Sequence, residues 1–305
     1  MATYRDDPRV DPAMRAAREA YDATLAQLLP NPPSVPDDSV RAAWDAARAN
    51  LTLPDPRDFL VVRNDNGGGP RPRSITFTPS DPRPDATIFW LHGGGWCVGG
   101  ANNLDAVLRR IATLSGTTVV AMEYRLAPEH PFPAALDDVA ALFGQPAASR
   151  VVLGGDSAGG NLALAFALTH RPKLAGLALA YPVTDCDLET DSYREFAEGY
   201  SLLRAGMDLY FRCYAGATDR ADPRISPLRA PSLKGLPPVH LQYAGIDVLR
   251  DDSLRLHDRL RAEGVPVETH FAPWLLHGYL GFQQSVPLAH AGIESMAAFA
   301  SRCFG

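Results

Sequence analysis

A serine hydroxyl is a poor nucleophile at its ordinary pKa, so a chain that uses one must bring backbone amides, a histidine and a carboxylate to it. One stretch of this chain offers such a place. Residues 150–170, RVVLGGDSAGGNLALAFALTH, read as a short apolar strand, a sharp turn and an Ala/Leu-rich helix, with Gly155-Asp156-Ser157-Ala158-Gly159 at the turn. A residue forced into a strand-to-helix turn of this kind adopts strained backbone angles. The positions two before and two after it must then be nearly free of side chain so that strand and helix can approach. Gly155 and Gly159 meet that need, and Gly154 and Gly160 add room. The Ser157 hydroxyl is thereby expected to project at a helix N-terminus, where N–H groups and the helix dipole favour developing negative charge.

A second glycine cluster, His92-Gly93-Gly94-Gly95-Trp96, follows directly on an apolar run ending at Leu91. Three consecutive glycines leave backbone N–H groups clear of side chains, as a tetrahedral oxyanion requires. Gly94, Gly95 and Ala158 are the expected donors, with Gly93 a further candidate. His92 reads as a brace for this loop. A phosphate site is disfavoured, because neither a following Lys-Ser/Thr nor a G-x-G-x-x-G register is present.

The serine needs a base, and the chain has eight histidines. Those at 130, 170, 240, 257, 270 and 290 fall in predicted helices, strands or Pro-rich turns. His277 instead lies just past the last predicted strand and before Gly278, where an imidazole can reach over a sheet. For the orienting acid, Asp247 follows the strand Val239–Tyr243. Asp251 and Asp252 read as an N-cap and a first-turn acid of the next helix, and Asp156 as structural.

Those residues need a frame. Residues 1–52 carry apolar side chains at helical spacing (Met14, Ala17, Tyr21, Leu25, Leu28), a Pro30–Pro33 break and a second helical stretch around Val40–Ala49. Runs at Phe59–Val62 and Ser74–Thr78 suggest an edge hairpin. Strands are then expected at Thr87–Leu91, Thr117–Met122, Val151–Leu153, Leu174–Ala180, Val239–Tyr243 and Val267–Phe271. Helices are expected near Asn103–Leu114, Ala134–Phe143, Ser157–His170, Asp251–Glu263 and Ala289–Cys303. That alternation implies an α/β fold, a mostly parallel eight-stranded sheet with helices on both faces.

Residues 185–231 interrupt the rhythm with an amphipathic stretch of their own. An insertion after a strand's carboxyl end lies over the ligand crevice of an open α/β sheet. The expected division is therefore 1–52 as N-terminal cap helices, 53–184 and 232–305 as the core, and 185–231 as a cap insertion. Leu202, Leu203, Met207 and Phe211, together with Trp96, are the candidates for lining a substrate pocket. The insertion's own core has first claim on its Met and aromatic residues.

Composition bounds the rest. Hydrophobic residues at 46% and charged residues at 21% of 305 fit a folded enzyme, and a net charge of −6 disfavours nucleic acid as a partner. No apolar run approaches a membrane span, and MATYRDDPRV lacks the apolar core of a signal peptide, so a cytoplasmic protein is expected. Cys97, Cys186, Cys213 and Cys303 show no metal-ligand spacing and read as free thiols. No metal is expected.

The order Ser157, Asp247, His277 is that of the α/β-hydrolases. The chain resembles, over almost its whole length, the bacterial hormone-sensitive-lipase-like esterases of that superfamily. The carriers are His92-Gly93-Gly94-Gly95-Trp96, Tyr124-Arg125-Leu126-Ala127-Pro128-Glu129 with Phe132-Pro133-Ala134-Ala135, the elbow Gly155–Gly160, Asp247-Val248-Leu249-Arg250-Asp251, and His277-Gly278. The resemblance implies an α/β-hydrolase fold with a helical cap and a cofactor-free carboxylesterase acting on short- to medium-chain acyl or aryl esters. An amidase or deacetylase using the same triad is the alternative, and a binding relative without catalysis a more distant one. It also implies a small-molecule ester as partner and a homodimer through the last edge strand. Two positions depart from the family pattern: Glu123 stands where Asp is usual, and Tyr279 where Phe is usual. Both preserve the local chemistry and bear on substrate detail.

Overall fold

The computed structural model describes residues 3–51, 58, 61–66, 72–143 and 149–305. Among these residues eight strands form one sheet: β1 (Val62–Asn66), β2 (Ser74–Thr78), β3 (Ala86–Leu91), β4 (Thr118–Met122), β5 (Arg150–Asp156), β6 (Gly176–Ala180), β7 (Val239–Ile246) and β8 (Val267–Leu276). Their spatial order is β1-β2-β4-β3-β5-β6-β7-β8. Only the β1/β2 and β2/β4 pairs are antiparallel, and every other neighbour runs parallel.

The burial of each strand follows its composition. Central β6, GLALA, is buried throughout, and β5 is buried after Arg150, as expected for strands covered on both faces. Edge strand β1, VRNDN, is mostly exposed. Here the structure departs from the sequence reading. The apolar run at Phe59–Val62 contributes only Val62 to the strand, residues 59 and 60 lying outside the described residues. β1 instead runs on through polar residues to Asn66, because an edge strand needs only backbone pairing with β2, and Asp65 gains an ion pair with Arg73.

Flanking the sheet are α3 (Asp105–Ser115), α4 (Ala134–Phe143), α5 (Ala158–His170), α8 (Arg250–Ala262) and α9 (Leu288–Phe304). Helix α5 is buried from Ala158 to Ala167, so its apolar character all round is matched by packing on every side.

Three parallel strands extend further at their carboxyl ends than their apolar runs suggest. β5 ends at Asp156, β7 at Ile246 and β8 at Leu276. Ser157, Asp247 and His277 are thus each the first residue past a parallel strand, all at one edge of the sheet.

Ahead of the sheet stand α1 (Pro12–Leu28) and α2 (Asp38–Arg48), N-capped by the Asp11 and Asp37 carboxylates. Between β6 and β7 lie α6 (Asp191–Glu195) and α7 (Arg204–Ala215). Buried polar groups clamp this segment to the core. Asn161 of α5 donates to the carbonyls of Val183 (3.0 Å) and Ile225 (2.8 Å), one near each end of the segment. Asp252 accepts from the N–H groups of Thr184 (2.7 Å) and Asp185 (3.0 Å), and Asp251 from Ser192 N–H (2.8 Å). Asp252 sits in the first turn of α8 as expected, and so does Asp251, which is not the N-cap; that is Leu249, without a side-chain bond. Their carboxylates are drawn to the inserted segment's unpaired amides instead.

Candidate active site

Ser157 has φ +53° and ψ −117°, so the sharp turn is real and strained. Its N–H is tied to the Ala180 carbonyl at 2.8 Å, which over-determines the turn. A Cβ on Gly155 would collide with the Gly159 backbone, and one on Gly159 with the Leu91 carbonyl. Glycine at these two positions is therefore demanded by the crossing of strand and helix.

The structure brings Ser157, His277 and Asp247 into one chain of hydrogen bonds. His277 Nε2 lies 3.0 Å from Ser157 Oγ, and His277 Nδ1 lies 2.7 Å from Asp247 Oδ2. The other carboxylate oxygen, Asp247 Oδ1, accepts from Leu249 N–H at 3.0 Å, and the residue is buried. With both oxygens engaged, the carboxylate is fixed in plane. Tyr181, the first residue past β6, presents its ring edge to the imidazole at 4.9 Å and 63°. It lines the same cavity and, like Ser157, is a non-glycine residue with positive φ.

Beside the serine, the loop after β3 is held by the buried Asp156 carboxylate. Its Oδ1 accepts from Trp90 Nε1 (3.1 Å) and from Gly93 N–H (3.0 Å). Burial raises the Asp156 pKa, and these bonds, with Arg48 and His92 nearby, work against that rise. This bond corrects one expectation: the Gly93 N–H is committed to Asp156 and cannot serve an oxyanion. The N–H groups of Gly94 and Gly95 have no acceptor among the described residues, and that of Ala158 is the first of α5, which has no intrahelical partner. His92 braces the loop, its ring stacked on Tyr124 at 4.1 Å and its carbonyl accepting from the Tyr124 hydroxyl at 2.7 Å.

A cavity of about 340 Å³ opens from Ser157 and His277. Its walls come from α1 (Arg18, Tyr21, Leu25), α2 (Val40, Trp44, Arg48), the inserted segment (Ser201, Leu202, Met207, Tyr210) and Phe282. Of the residues expected to line it, Leu202 and Met207 do. Trp96, Leu203 and Phe211 do not. Trp96 is fully buried and stacks on Tyr214 at 4.4 Å, with Phe211 at 5.4 Å, so these rings bind the loop to α7. Leu203 is exposed at the N-cap of α7. Tyr210, one turn from Met207, takes the place expected for Phe211, its ring packed so closely on Gly95 that a Cβ there would clash.

Sequence reasoning missed Tyr181, Tyr210, Arg18 and Arg48 as cavity residues. Tyr181 could have been found, since it follows a parallel strand as Ser157, Asp247 and His277 do. Arg48 gave no signal, because a cation in the last turn of a helix ordinarily complements the helix dipole. Cys97 adjoins the glycine loop, but burial pushes its thiol far above the usual range, so it offers no thiolate.

Residues 88–281, from β3 to just past His277, match a family described as alpha/beta hydrolase fold. Esterase LipI of Mycobacterium tuberculosis is 33% identical to the chain over 306 residues, covering 94% of this chain and 93% of that protein. An ester hydrolase from the metagenome of Lake Arreo, solved with a bipyridine phosphonate derivative, superposes with a TM-score of 0.83 at 32% identity, covering 97% and 99% of the two chains. An esterase of the bacterial hormone-sensitive lipase family superposes with a TM-score of 0.83 at 26% identity, covering 95% and 99%.

Proposed function

Given that the chain belongs to the hormone-sensitive-lipase-like esterases of the α/β-hydrolase fold family and is a carboxylic ester hydrolase, we propose that it cleaves short- to medium-chain esters through Ser157, His277 and Asp247. The observation that carries the reading is the pair of bonds at 3.0 and 2.7 Å that joins the three side chains. In this reading His277 keeps its proton on Nδ1, donated to Asp247, so that Nε2 accepts the Ser157 proton as Oγ attacks the ester carbonyl. The imidazolium formed is stabilised by Asp247. The oxyanion sits against the N–H groups of Gly94, Gly95 and Ala158, each worth about 3 kcal/mol of barrier.

Collapse of the tetrahedral adduct breaks the bond to the alcohol, which leaves with the proton from His277. Water then repeats the sequence on the acyl-enzyme: His277 accepts its proton, and Ser157 regains one as the acid departs. Residues 1–52 and 185–231 act as a cap in this scheme, since their side chains close the cavity over Ser157. A volume of about 340 Å³ is near the lower end for small-molecule sites, which supports short acyl chains.

Hydrolysis of p-nitrophenyl esters from acetyl to palmitoyl tests the reading. Turnover should fall off beyond medium chains and should vanish in Ser157→Ala with the fold intact by circular dichroism. Undiminished hydrolysis by the variant would sink the serine mechanism, and palmitoyl esters turned over as fast as butyryl would sink the chain-length limit.

A further inference from the structure

The ester chemistry leaves one charged group of the cavity wall unused. Arg48 ends α2 with its guanidinium carbon 4.4 Å from the centre of the Trp44 ring. Its Nη2 lies against Gly281, just behind the His277 loop. Its Nε is closed to solvent and has no hydrogen-bond partner of good geometry, and neither has the buried hydroxyl of Tyr21, a cavity residue close enough to Arg48 to feel its charge.

The cavity's other cation behaves differently. Arg18 is neutralised by Asp22 at 2.7 Å and donates to Ser201 Oγ at 2.6 Å. Among the described residues no carboxylate lies within 4 Å of Arg48. Among the described residues, Asp156, already bonded to Trp90 and Gly93, and Asp45, exposed on the same helix, act on it from further away.

A half-buried guanidinium that has no counter-charge among the described residues, in a cavity wall shared with Leu25, Val40 and Met207, is costly unless something pairs with it. Its planar fork suits a carboxylate, which can accept two of its N–H groups at once. The flat face on Trp44 leaves those edges free to turn toward the cavity.

We propose that Arg48, with the Tyr21 hydroxyl beside it, selects esters that carry a carboxylate on the acyl or the alcohol portion. The substrate class is then the anionic ester: a hemiester of a dicarboxylic acid, or an ester of a hydroxy acid. This rests on the serine-esterase reading above, which fixes where the ester bond sits in the cavity.

Two matched pairs of substrates test it, one for each side of the ester. On the acyl side, p-nitrophenyl hexanoate is compared with the p-nitrophenyl hemiester of adipate. On the alcohol side, phenyl acetate is compared with 4-acetoxybenzoate. In the wild type the anionic member of at least one pair is favoured. Arg48→Met should lower that anionic-to-neutral ratio of kcat/KM about ten- to a hundredfold. Arg48→Lys, which keeps a point charge but loses the fork, should fall between the two and guards against misfolding of the methionine variant.

Ratios unchanged in both pairs would overturn the proposal, as would a wild type that favours neither anionic ester. Calorimetric binding of the same four esters to the Ser157→Ala protein separates the two readings. Binding of the anionic esters that weakens on adding Arg48→Met upholds the role of Arg48 even if Ser157 proves not to be the nucleophile. Binding of all four esters that is indifferent to Arg48 overturns it.

Discussion

The two sides of the cavity are built by different means. On the core side, Ser157, Asp247 and His277 each follow a parallel strand, and the glycine loop is fixed by the buried carboxylate of Asp156 and the stacked rings of His92 and Tyr124. The contacts there are made by backbone groups, by short carboxylates and by rigid rings, so little conformational freedom is left to lose. On the cap side, α1, α2 and α7 are held by long arginine side chains and by ring stacking. Arg41 reaches from α2 to the carbonyls of Cys97 (2.9 Å) and Ala127 (3.0 Å) and to Glu129 (2.6 Å). Arg18 bridges α1 to Ser201, whose hydroxyl donates to the His277 carbonyl at 2.9 Å. Such contacts can re-form after small shifts. In the proposed scheme, the core side would set the rate of bond breaking and the cap side which ester is admitted.

The largest effect expected from breaking this contrast is on the core side. Asp247→Asn should keep the geometry but hold His277 in the wrong tautomer, lowering kcat about 10⁴-fold with KM little changed. Steady-state kinetics on p-nitrophenyl butyrate measures it, and a variant with kcat near wild type would mean that the core side does not set the rate.

The seam between the two regions comes next. Asp252 is fully buried, and burial raises its carboxyl pKa to about 7 despite the bonds it accepts from Thr184 and Asp185. The sign follows from linkage. With the folded value above the unfolded one, its stabilisation is complete below the unfolded pKa and is lost as pH rises through 7. The slope is at most about 1.4 kcal/mol per pH unit between the two values. Asp252→Asn should flatten the dependence of Tm on pH between those limits, and equal slopes in both proteins would show that the seam is not titrating.

The smallest expected effect is on the cap side. Arg41→Ala removes the anchors of α2 over the glycine loop and should raise KM severalfold, at a cost of about 1 kcal/mol in stability, with kcat nearly unchanged. A fall in kcat as large as that of Asp247→Asn would erase the distinction between the regions.

How much of this the amino-acid order reveals depends on the range of the interaction involved. The alternation of strands and helices, the sharp turn at Ser157 and the positions of Asp247 and His277 past strand ends are local properties. They rest on apolar runs, on glycines where backbones cross, and on turn context, each confined to a few neighbouring residues. The strand order is a non-local matter: β4 lies between β2 and β3, antiparallel to the first and parallel to the second.

Other features were decided by tertiary packing. The Gly93 N–H differs from those of Gly94 and Gly95 in that the Asp156 carboxylate, carried on another strand, reaches it. Tyr210 faces the cavity while Phe211 and Trp96 turn into the core, although all three are large aromatic residues in the candidate stretches. Asp252 serves the inserted segment and not its own helix end. Arg48 becomes a cavity residue because α2 lies across the sheet's carboxyl edge. Periodicity shows that a segment has an apolar face, but not which apolar surface that face will meet. A polar group's partner is likewise set by whichever unpaired donor the fold brings within about 3 Å.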